Sequence, residues 1–410
     1  MNWRVNITVL VILIFIFFNE VGLPSGLQYT AILAPFFFLK FSLKYWKSFA
    51  IFSGICLGYF LIHLFNKEVT WFYYGRSFVL HFLVFIQVVA FYHIVNYKGH
   101  LIKKAFDISV YIHLFLVIIG LLLLLIGFPD AMFEVTHVST SVGVLPRFRI
   151  FTEEPSYYSM LIAPVFLFYI TRYIDGEKRM DFEKIGILIV CFFVSFSFGI
   201  ISTILISMFI VYILRLKNLK DKKRRNLIFS LAGILFSIIA LMYLFIPDNP
   251  IFIRFSDIIS GQDSSGKGRV TEPWLLSLEM LKLNGDYWFG IGWGQIRTLG
   301  DDVIRTFYMY TETPDNKFGL PNVLTEITTL FGFVGLTIFL MIQLVFYKIT
   351  KVYKSHFRSL IFWFIFIYQF TGSYSSNVLY YCCFVLAFSP AFDNQKLKKP
   401  LITSEKQQNK

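Results

Sequence analysis

Long apolar runs recur along almost the whole chain of 410 residues and constrain its fold more than any other feature. A helix needs about 20 predominantly apolar residues to cross the hydrocarbon core of a bilayer. On this basis the sequence predicts about twelve spans: 5–19, 22–39, 48–65, 76–95, 105–128, 155–174, 185–198, 199–214, 227–247, 323–347, 359–372 and 375–392. We expect an all-α polytopic membrane protein in which residues 1–394 form a single transmembrane domain and residues 395–410 form a disordered cytoplasmic tail.

Charge is distributed unevenly across these spans. Charged residues make up 15% of the chain, against roughly 25% in soluble proteins. With the N-terminus in the cytoplasm, most of the 38 Lys and Arg residues fall in cytoplasmic segments, as the positive-inside rule requires. We therefore expect both termini in the cytoplasm. The basic cluster from Lys217 to Arg225 is interpreted as an anchor beside anionic lipid, and not as a nucleic-acid site.

Cysteine and histidine patterns indicate neither a metal site nor a catalytic triad. Four cysteines lie inside apolar runs, which argues against a disulfide framework: Cys56, Cys191, Cys382 and Cys383. The seven histidines are scattered and show no ligand spacing. We expect no metal and no cofactor.

Two connections, 129–154 and 248–322, are longer than a link between helices requires. Long loops commonly carry function. The orientation above places both loops outside the cytoplasm. They also hold most of the polar residues suited to chemistry, so we expect the functional site there.

The first loop ends with Arg147, Arg149, Glu153, Glu154 and Pro155. Pro155 suits the first turn of a helix and the two carboxylates complement its dipole, which explains these three residues without a ligand. The arginines differ, because positive charge is avoided on the outer face and a guanidinium binds phosphate in a bidentate manner. At least one of the two arginines is predicted to contact a phosphate.

The second loop contains a predicted amphipathic helix from Glu272 to Lys282, lying on the membrane surface or capping the bundle. Its apolar residues at helical spacing are Trp274, Leu275, Leu278 and Leu281. Arg269 stands just ahead of this helix. It is interpreted either as a second cation for a diphosphate or as a solvated charge.

Further along the second loop, the pattern Gly-x-Gly-x-Gly at 290–294 predicts a tight turn near a ligand. The pattern lacks the strand and helix of a nucleotide-binding unit. Three residues of this region are candidates for substrate binding: Gly292, Gly294 and Arg297. Asn322 is predicted to cap the helix that follows. Glu326 lies one turn into that helix, where an ionisable group in a membrane span suggests function.

These motifs follow one another in a defined order over residues 145–375. The order is Arg149 with Glu154-Pro155, Gly268-Arg269, Trp274, the glycines at 290–294, Asn322, and Gly332 with Gly335. The arrangement resembles the O-antigen polymerase and O-antigen ligase superfamily of bacterial envelope glycosyltransferases. The resemblance implies a GT-C-like membrane fold with two large periplasmic loops in the bacterial inner membrane.

The resemblance also implies a substrate, undecaprenyl-diphosphate-linked oligosaccharide, and partners such as a chain-length regulator and a flippase. Arginines of the two loops would handle the diphosphate. The expected catalytic residues are Arg147, Arg149, Glu154, Arg269 and Glu326. The expected substrate-binding residues are Glu153, Gly292, Gly294, Arg297 and Asn322.

Two positions depart from the superfamily pattern. Ligases carry a His directly before the last Asn, and this chain has Pro321 there. Relatives often have a Ser-Arg pair near Ser197-Phe198-Gly199, and this chain lacks the Arg. The sequence therefore favours a polymerase that makes O-antigen, capsule or exopolysaccharide over a ligase. A lipid-linked-oligosaccharide flippase is the alternative of a different class, and the scarcity of charge within the spans disfavours it.

Overall fold

The structure, a computed structural model, describes residues 3–17, 29–65, 69–139, 143–152, 154–175, 181–215, 264–284, 286–309, 319–372 and 375–392. Four features predicted from the sequence lie outside these residues: the basic cluster Lys217–Arg225, the span 227–247, Glu153 and the polar tail over 395–410.

Helices account for most of the described chain. The first eight are α1 (Trp3–Phe17), α2 (Ala34–Phe41), α3 (Trp46–His63), α4 (Trp71–Lys98), α5 (His100–Leu125), α6 (Pro155–Ile174), α7 (Asp181–Ser195) and α8 (Phe198–Arg215). The next six are α9 (Ser264–Val270), α10 (Glu272–Asn284), α11 (Leu299–Tyr308), α12 (Val323–Ile349), α13 (His356–Tyr368) and α14 (Val378–Phe388). By length and composition, α3, α4, α5, α6 and α12 could each cross a membrane.

One element of the first loop was not predicted. Strands β1 (Phe133–Ser139) and β2 (Gly143–Phe148) form an antiparallel hairpin that begins with Phe133 opposite Phe148. Both phenylalanines are buried, and their rings pack edge to face, 5.2 Å apart. The hairpin therefore gives regular secondary structure to part of a loop that the apolar periodicity left unassigned.

The apolar run from 185 to 214 forms two helices, as predicted. The turn lies at Phe196-Ser197, two residues before the predicted Phe198-Gly199, because α7 ends at Ser195 and α8 begins at Phe198. Phe196 adopts a φ of 51°, in the left-handed region.

Helix α6 lies at the centre of the bundle and is buried along nearly its whole length. Its packing partners include α5, α7, α8 and α13. At its C-terminal end, ion pairs join Arg172 to Asp181, at 2.8 Å, and Lys184 to Asp107. The carboxylate of Asp175 also lies 2.6 Å from the His356 ring. Its N-terminal end, at Pro155, points toward the opposite side of the bundle, where the two loops meet.

Candidate functional site

The two long loops meet at an ion pair. Arg269, in α9, donates a hydrogen bond from its guanidinium to Oε2 of Glu154, over 2.9 Å. The hydroxyl of Ser156 donates to the same oxygen, also at 2.9 Å. Both charged side chains are partly exposed, at 35% and 42%. Two residues predicted separately from the two loops thus form one contact that solvent can reach.

Asn322 holds the backbone of Arg269 against the start of α12. Its Oδ1 accepts hydrogen bonds from the backbone N–H groups of Leu324, at 3.0 Å, and Thr325, at 3.3 Å, which confirms the predicted N-cap. Its Nδ2 donates to the carbonyl oxygens of Arg269, at 3.1 Å, and Phe370. This fully buried side chain therefore joins α9, α12 and the segment after α13.

Glu326 lies one helical turn after Asn322, and its backbone N–H donates to the Asn322 carbonyl at 2.9 Å. The hydroxyl of Ser375 donates a hydrogen bond to the Glu326 carboxylate. Tyr381 donates to the Ser375 carbonyl at 2.8 Å, which holds that segment in place. The carboxylate also interacts electrostatically with Arg297. Glu326 is therefore fixed in position near a cation.

Arg297 is carried to this site by the chain that leads from the glycines at 290–294. The side chain of Gln295 makes two hydrogen bonds with the backbone of Thr70, accepting from its N–H at 2.9 Å and donating to its carbonyl at 3.2 Å. This contact brings Arg297 beside Arg76 on the first turns of α4. Partial desolvation and the positive charge of Arg76 lower the pKa of Arg297, and the Glu326 carboxylate opposes that shift.

The glycines at 290–294 form a tight turn, as predicted, with φ values of 80° at Gly290, 96° at Gly292 and 73° at Gly294. A Cβ atom at Gly292 would lie 3.1 Å from the Tyr74 ring, and one at Gly294 would lie 2.3 Å from the Tyr73 carbonyl oxygen. Gly292 and Gly294 therefore allow the backbone of the turn to approach α3 and α4 closely. Their role in substrate binding stays a prediction.

This turn also compensates for a break in α12. Gly332 has φ 66° and ψ −172°, which interrupts the helix. The backbone N–H groups of Phe333 and Val334 donate instead to the carbonyls of Tyr287, at 2.9 Å, and Trp288, at 3.1 Å. In return, Ile291 and Gly292 donate to carbonyls of Thr329 and Leu330. The second loop is thus built into α12 through its backbone.

Helix α10 begins at Glu272 as predicted and packs on α12, so it caps the bundle. Two residues of the predicted apolar stripe, Leu275 and Leu278, are 56% and 38% exposed. The buried residues of α10 are Pro273, Leu276, Ser277, Met280 and Leu281, of which Leu281 belongs to that stripe. Ser277 accepts a hydrogen bond from Thr329 of α12 at 2.7 Å, so a polar contact helps to choose the face.

Arg147 and Arg149 lie on the hairpin side of the first loop. Arg147 stands opposite Glu134 in the strand register, and their charged groups are 3.6 Å apart. Arg149 donates to the backbone carbonyl of Asp130 at 3.3 Å. The contact that joins the two loops is made by Glu154 and Arg269. A phosphate contact by Arg147 or Arg149 stays a prediction.

Two residues of this region were missed by the sequence reasoning. Arg76 carried a detectable signal, since it is a cation at the predicted outer end of a span, as unusual as the arginines of the first loop. His63 carried none. It is fully buried, and its ring nitrogens contact the Tyr74 hydroxyl at 3.2 Å and the Phe289 carbonyl at 3.0 Å, which attaches α3 to the second loop.

Two arginine contacts therefore adjoin the N-terminal end of α12, where the helix dipole is positive: Arg269 with Glu154, and Arg297 with Glu326. The guanidinium groups and the helix N-terminus suit an anion with several oxygens. Within the described residues, no group of three His, Cys, Asp or Glu side chains could hold a metal ion. Neither a protein-family model nor a curated protein matches this sequence.

Proposed function

We propose that the protein is a membrane glycosyltransferase that polymerises undecaprenyl-diphosphate-linked oligosaccharide repeat units on the periplasmic face of the bacterial inner membrane, with both termini in the cytoplasm. The contact between Arg269 and Glu154 is the observation that carries this proposal. It joins the two loops whose arginines are expected to bind the diphosphate, given the resemblance to envelope polysaccharide polymerases.

In the proposed reaction, a hydroxyl oxygen of the acceptor sugar attacks C1 of the donor glycan. The bond between C1 and the diphosphate oxygen breaks, the diphosphate leaves with the electron pair, and C1 is inverted. Negative charge grows on the diphosphate, so the guanidinium of Arg269, held by Glu154 and Asn322, stabilises the transition state. Glu326 accepts the proton of the attacking hydroxyl.

Transfer of the glycan to a lipid core or a protein is the second candidate function. It would use the same leaving group and the same arginines. Pro321, where ligases have His, favours polymerisation. A flippase would need ionisable groups along a path through the bundle. The gathering of charge at one end of α12 instead supports chemistry at a membrane surface.

The test replaces Arg269 by Ala and, as a matched control, replaces the exposed Lys267 of the same short helix by Ala. We expect Arg269→Ala to lower the rate of polymerisation by about 10²–10³-fold, the effect of removing one donor to a developing charge. Long polymer should disappear from the surface glycan while single repeat units remain. Normal polymer length in Arg269→Ala cells with normal protein levels contradicts the proposal. Accumulation of completed, untransferred polymer would identify a ligase.

A further inference from the structure

Three lysines lie at the end of α3 and α4 that is remote from the candidate site. The C-terminal end of α3 contacts the second loop through His63, and the N-terminal end of α4 contacts it through Thr70. The lysines belong to the opposite ends: Lys40 and Lys44 precede α3, and Lys98 is the last residue of α4. Because α3 has 18 residues, about 27 Å separate its two ends, close to the thickness of the hydrocarbon core of a bilayer.

Four rings form an aromatic platform at this end, between α4 and the turn that joins α2 to α3: Phe41, Tyr45, His93 and Tyr97. The Tyr45 hydroxyl and Nδ1 of His93 are hydrogen-bonded at 2.9 Å. The centre of the His93 ring lies 4.7 Å from that of Phe41 and 4.5 Å from that of Tyr97, which stacks on it. The platform therefore fixes the turn against the last turns of α4.

The lysines are arranged around this aromatic platform. The ammonium of Lys44 lies 4.0 Å from the centre of the Tyr97 ring, and that of Lys40 lies 5.5 Å from the centre of the Phe41 ring. Such contacts between a cation and a ring face are attractive. Lys98 follows at the end of α4 and, like the other two lysines, interacts electrostatically with the histidine of the platform. Three cations thus share one small region.

No carboxylate among the described residues forms an ion pair with Lys40, Lys44 or Lys98. All three residues are exposed. Lys98 donates a hydrogen bond to the hydroxyl of Thr8 in α1, at 3.0 Å, which is a neutral partner. Each ammonium carries three donors, so the lysines keep both charge and donors for an anion.

Large apolar side chains are exposed beside these cations. Leu39 is 80% exposed, Leu43 is 87% exposed, and Trp46 at the start of α3 is 60% exposed. Since α3 and α4 are each long and apolar enough to cross a membrane, this end suits a membrane interface, where tryptophan and tyrosine are enriched. An amphiphile with an anionic head matches both the lysines and the apolar side chains, whereas a soluble anion matches only the lysines.

We propose that the aromatic platform and its three lysines bind the headgroup of an anionic phospholipid of the bilayer. The phosphate accepts charge-assisted hydrogen bonds from the ammonium groups, and the acyl chains lie against the exposed leucines. In the proposed orientation the lipid belongs to the cytoplasmic leaflet, whose surface is negatively charged. The site is separate from the candidate site at the start of α12 and does not depend on the proposed reaction.

The test titrates the full chain, purified in detergent, with dioleoyl phosphatidylglycerol and counts bound lipids by native mass spectrometry. Dioleoyl phosphatidylcholine, which has the same acyl chains and no net charge, is the reference lipid. We expect the double variant Lys40→Gln, Lys44→Gln to weaken binding of phosphatidylglycerol about thirtyfold, or about fivefold for each lysine, and to leave phosphatidylcholine unaffected.

The matched control is the double variant Lys348→Gln, Lys354→Gln, which removes the same charge from exposed lysines at the same end of the bundle. These two residues lie there because α12 begins at the candidate site and ends at Ile349. We expect the control to bind phosphatidylglycerol as the wild type does. An equal loss in both double variants would mean that net charge attracts the lipid, and would overturn the inference.

Tyr97→Leu tests the aromatic platform at constant charge. It removes the ring that holds the ammonium of Lys44, so we expect binding of phosphatidylglycerol to weaken about fivefold. Lys44→Arg keeps both the charge and the contact with the ring and should bind as the wild type does. Thermal unfolding without added lipid shows whether each variant is folded.

Two further outcomes would overturn the inference. One is unchanged affinity for phosphatidylglycerol in the double variant of Lys40 and Lys44. The other is displacement of the bound lipid by inorganic phosphate at the concentration at which phosphatidylglycerol displaces it, which would identify a site for a soluble anion.

Discussion

The guanidinium of Arg269 donates a hydrogen bond to Oε2 of Glu154 over 2.9 Å, although 115 residues separate them. Ser156 donates to the same oxygen, so the carboxylate is held from two sides. The pair fixes the direction of one guanidinium edge and leaves the arginine accessible to a ligand. Variants of Glu154 can therefore test whether the orientation of Arg269, and not only its charge, matters for activity.

Glu154→Gln should lower polymerisation about tenfold while leaving the amount of folded protein unchanged. The amide keeps an oxygen that accepts from Arg269, yet it loses the charge that makes the hydrogen bond strong. Polymer length and initial rate in membranes carrying equal amounts of protein are the measurements. Ser156→Ala removes only the neutral donor and serves as the control, with a smaller expected loss. Equal activity of Glu154→Gln and wild type would show that the ion pair does not position Arg269.

Asn322→Asp separates the role of this buried side chain as the N-cap of α12 from its role as a hydrogen-bond donor to the Arg269 carbonyl. Aspartate keeps the oxygen that caps α12, and its charge suits the helix N-terminus. It removes the N–H donors to the carbonyls of Arg269 and Phe370, at a cost of about 1–3 kcal/mol for each carbonyl left without a partner. We expect a lower unfolding temperature and less polymer in Asn322→Asp than in the wild type, although the cap of α12 is kept. Wild-type polymer in Asn322→Asp would argue against a role for this amide in placing Arg269.

Glu326→Gln tests the proposed proton acceptor. Removal of a general base lowers a rate by about 10²–10⁴-fold. Because the amide has nearly the same shape and still accepts from Ser375, the protein should fold and bind undecaprenyl diphosphate as before. The readouts are single-turnover rates with a defined lipid-linked repeat unit and, separately, lipid affinity. A rate within threefold of wild type, a bound set by ordinary mutational scatter, would exclude Glu326 as the base.

Gly332→Ala should destabilise the protein by about 2–5 kcal/mol, from backbone strain and overlap together. The φ of 66° with ψ of −172° suits glycine, and a Cβ atom would lie 2.2 Å from the Trp288 carbonyl group. Thermal unfolding in detergent measures the effect. Gly54→Ala is the control, since its Cβ meets no atom within 4 Å. An unfolding temperature of Gly332→Ala equal to that of the control would refute the tight packing of the second loop on α12.

Arg358→Lys should destabilise the bundle at the end opposite the candidate site. Arg358 is 1% exposed and donates to the carbonyls of Ala387 at 2.8 Å, Thr350 at 2.6 Å and Phe388 at 3.2 Å. A lysine ammonium lacks the planar fork that spans the ends of α12 and α14, so we expect a loss of about 2–4 kcal/mol. Lys354→Ala, at an exposed position nearby, should leave the unfolding temperature unchanged. Affinity for undecaprenyl diphosphate should change little in either variant.

Helices were predicted well wherever an apolar run has a chemical signal at its ends. Pro155 begins α6 and Asn322 caps α12, and both boundaries agree with the structure. The face of α10 that packs on α12 was not predicted, because hydropathy marks Leu275 and Leu278 as apolar without showing what they contact. A serine of that helix, Ser277, bonds to α12 and is buried in their place. Hydropathy identifies an amphipathic helix, and specific polar contacts then decide its rotation.

The sequence by itself determined the helical, apolar character of the chain, the caps and the tight turn at 290–294, since each depends on residues a few positions apart. Only the tertiary structure decided that Arg269 pairs with Glu154, that Arg147 pairs with Glu134 across a hairpin, and that Arg76 lies near Arg297. These pairings depend on how helices pack and on where α12 breaks at Gly332. Electrostatic attraction between distant residues leaves no periodic trace in a sequence, because it acts only after packing has brought the charges within a few ångströms.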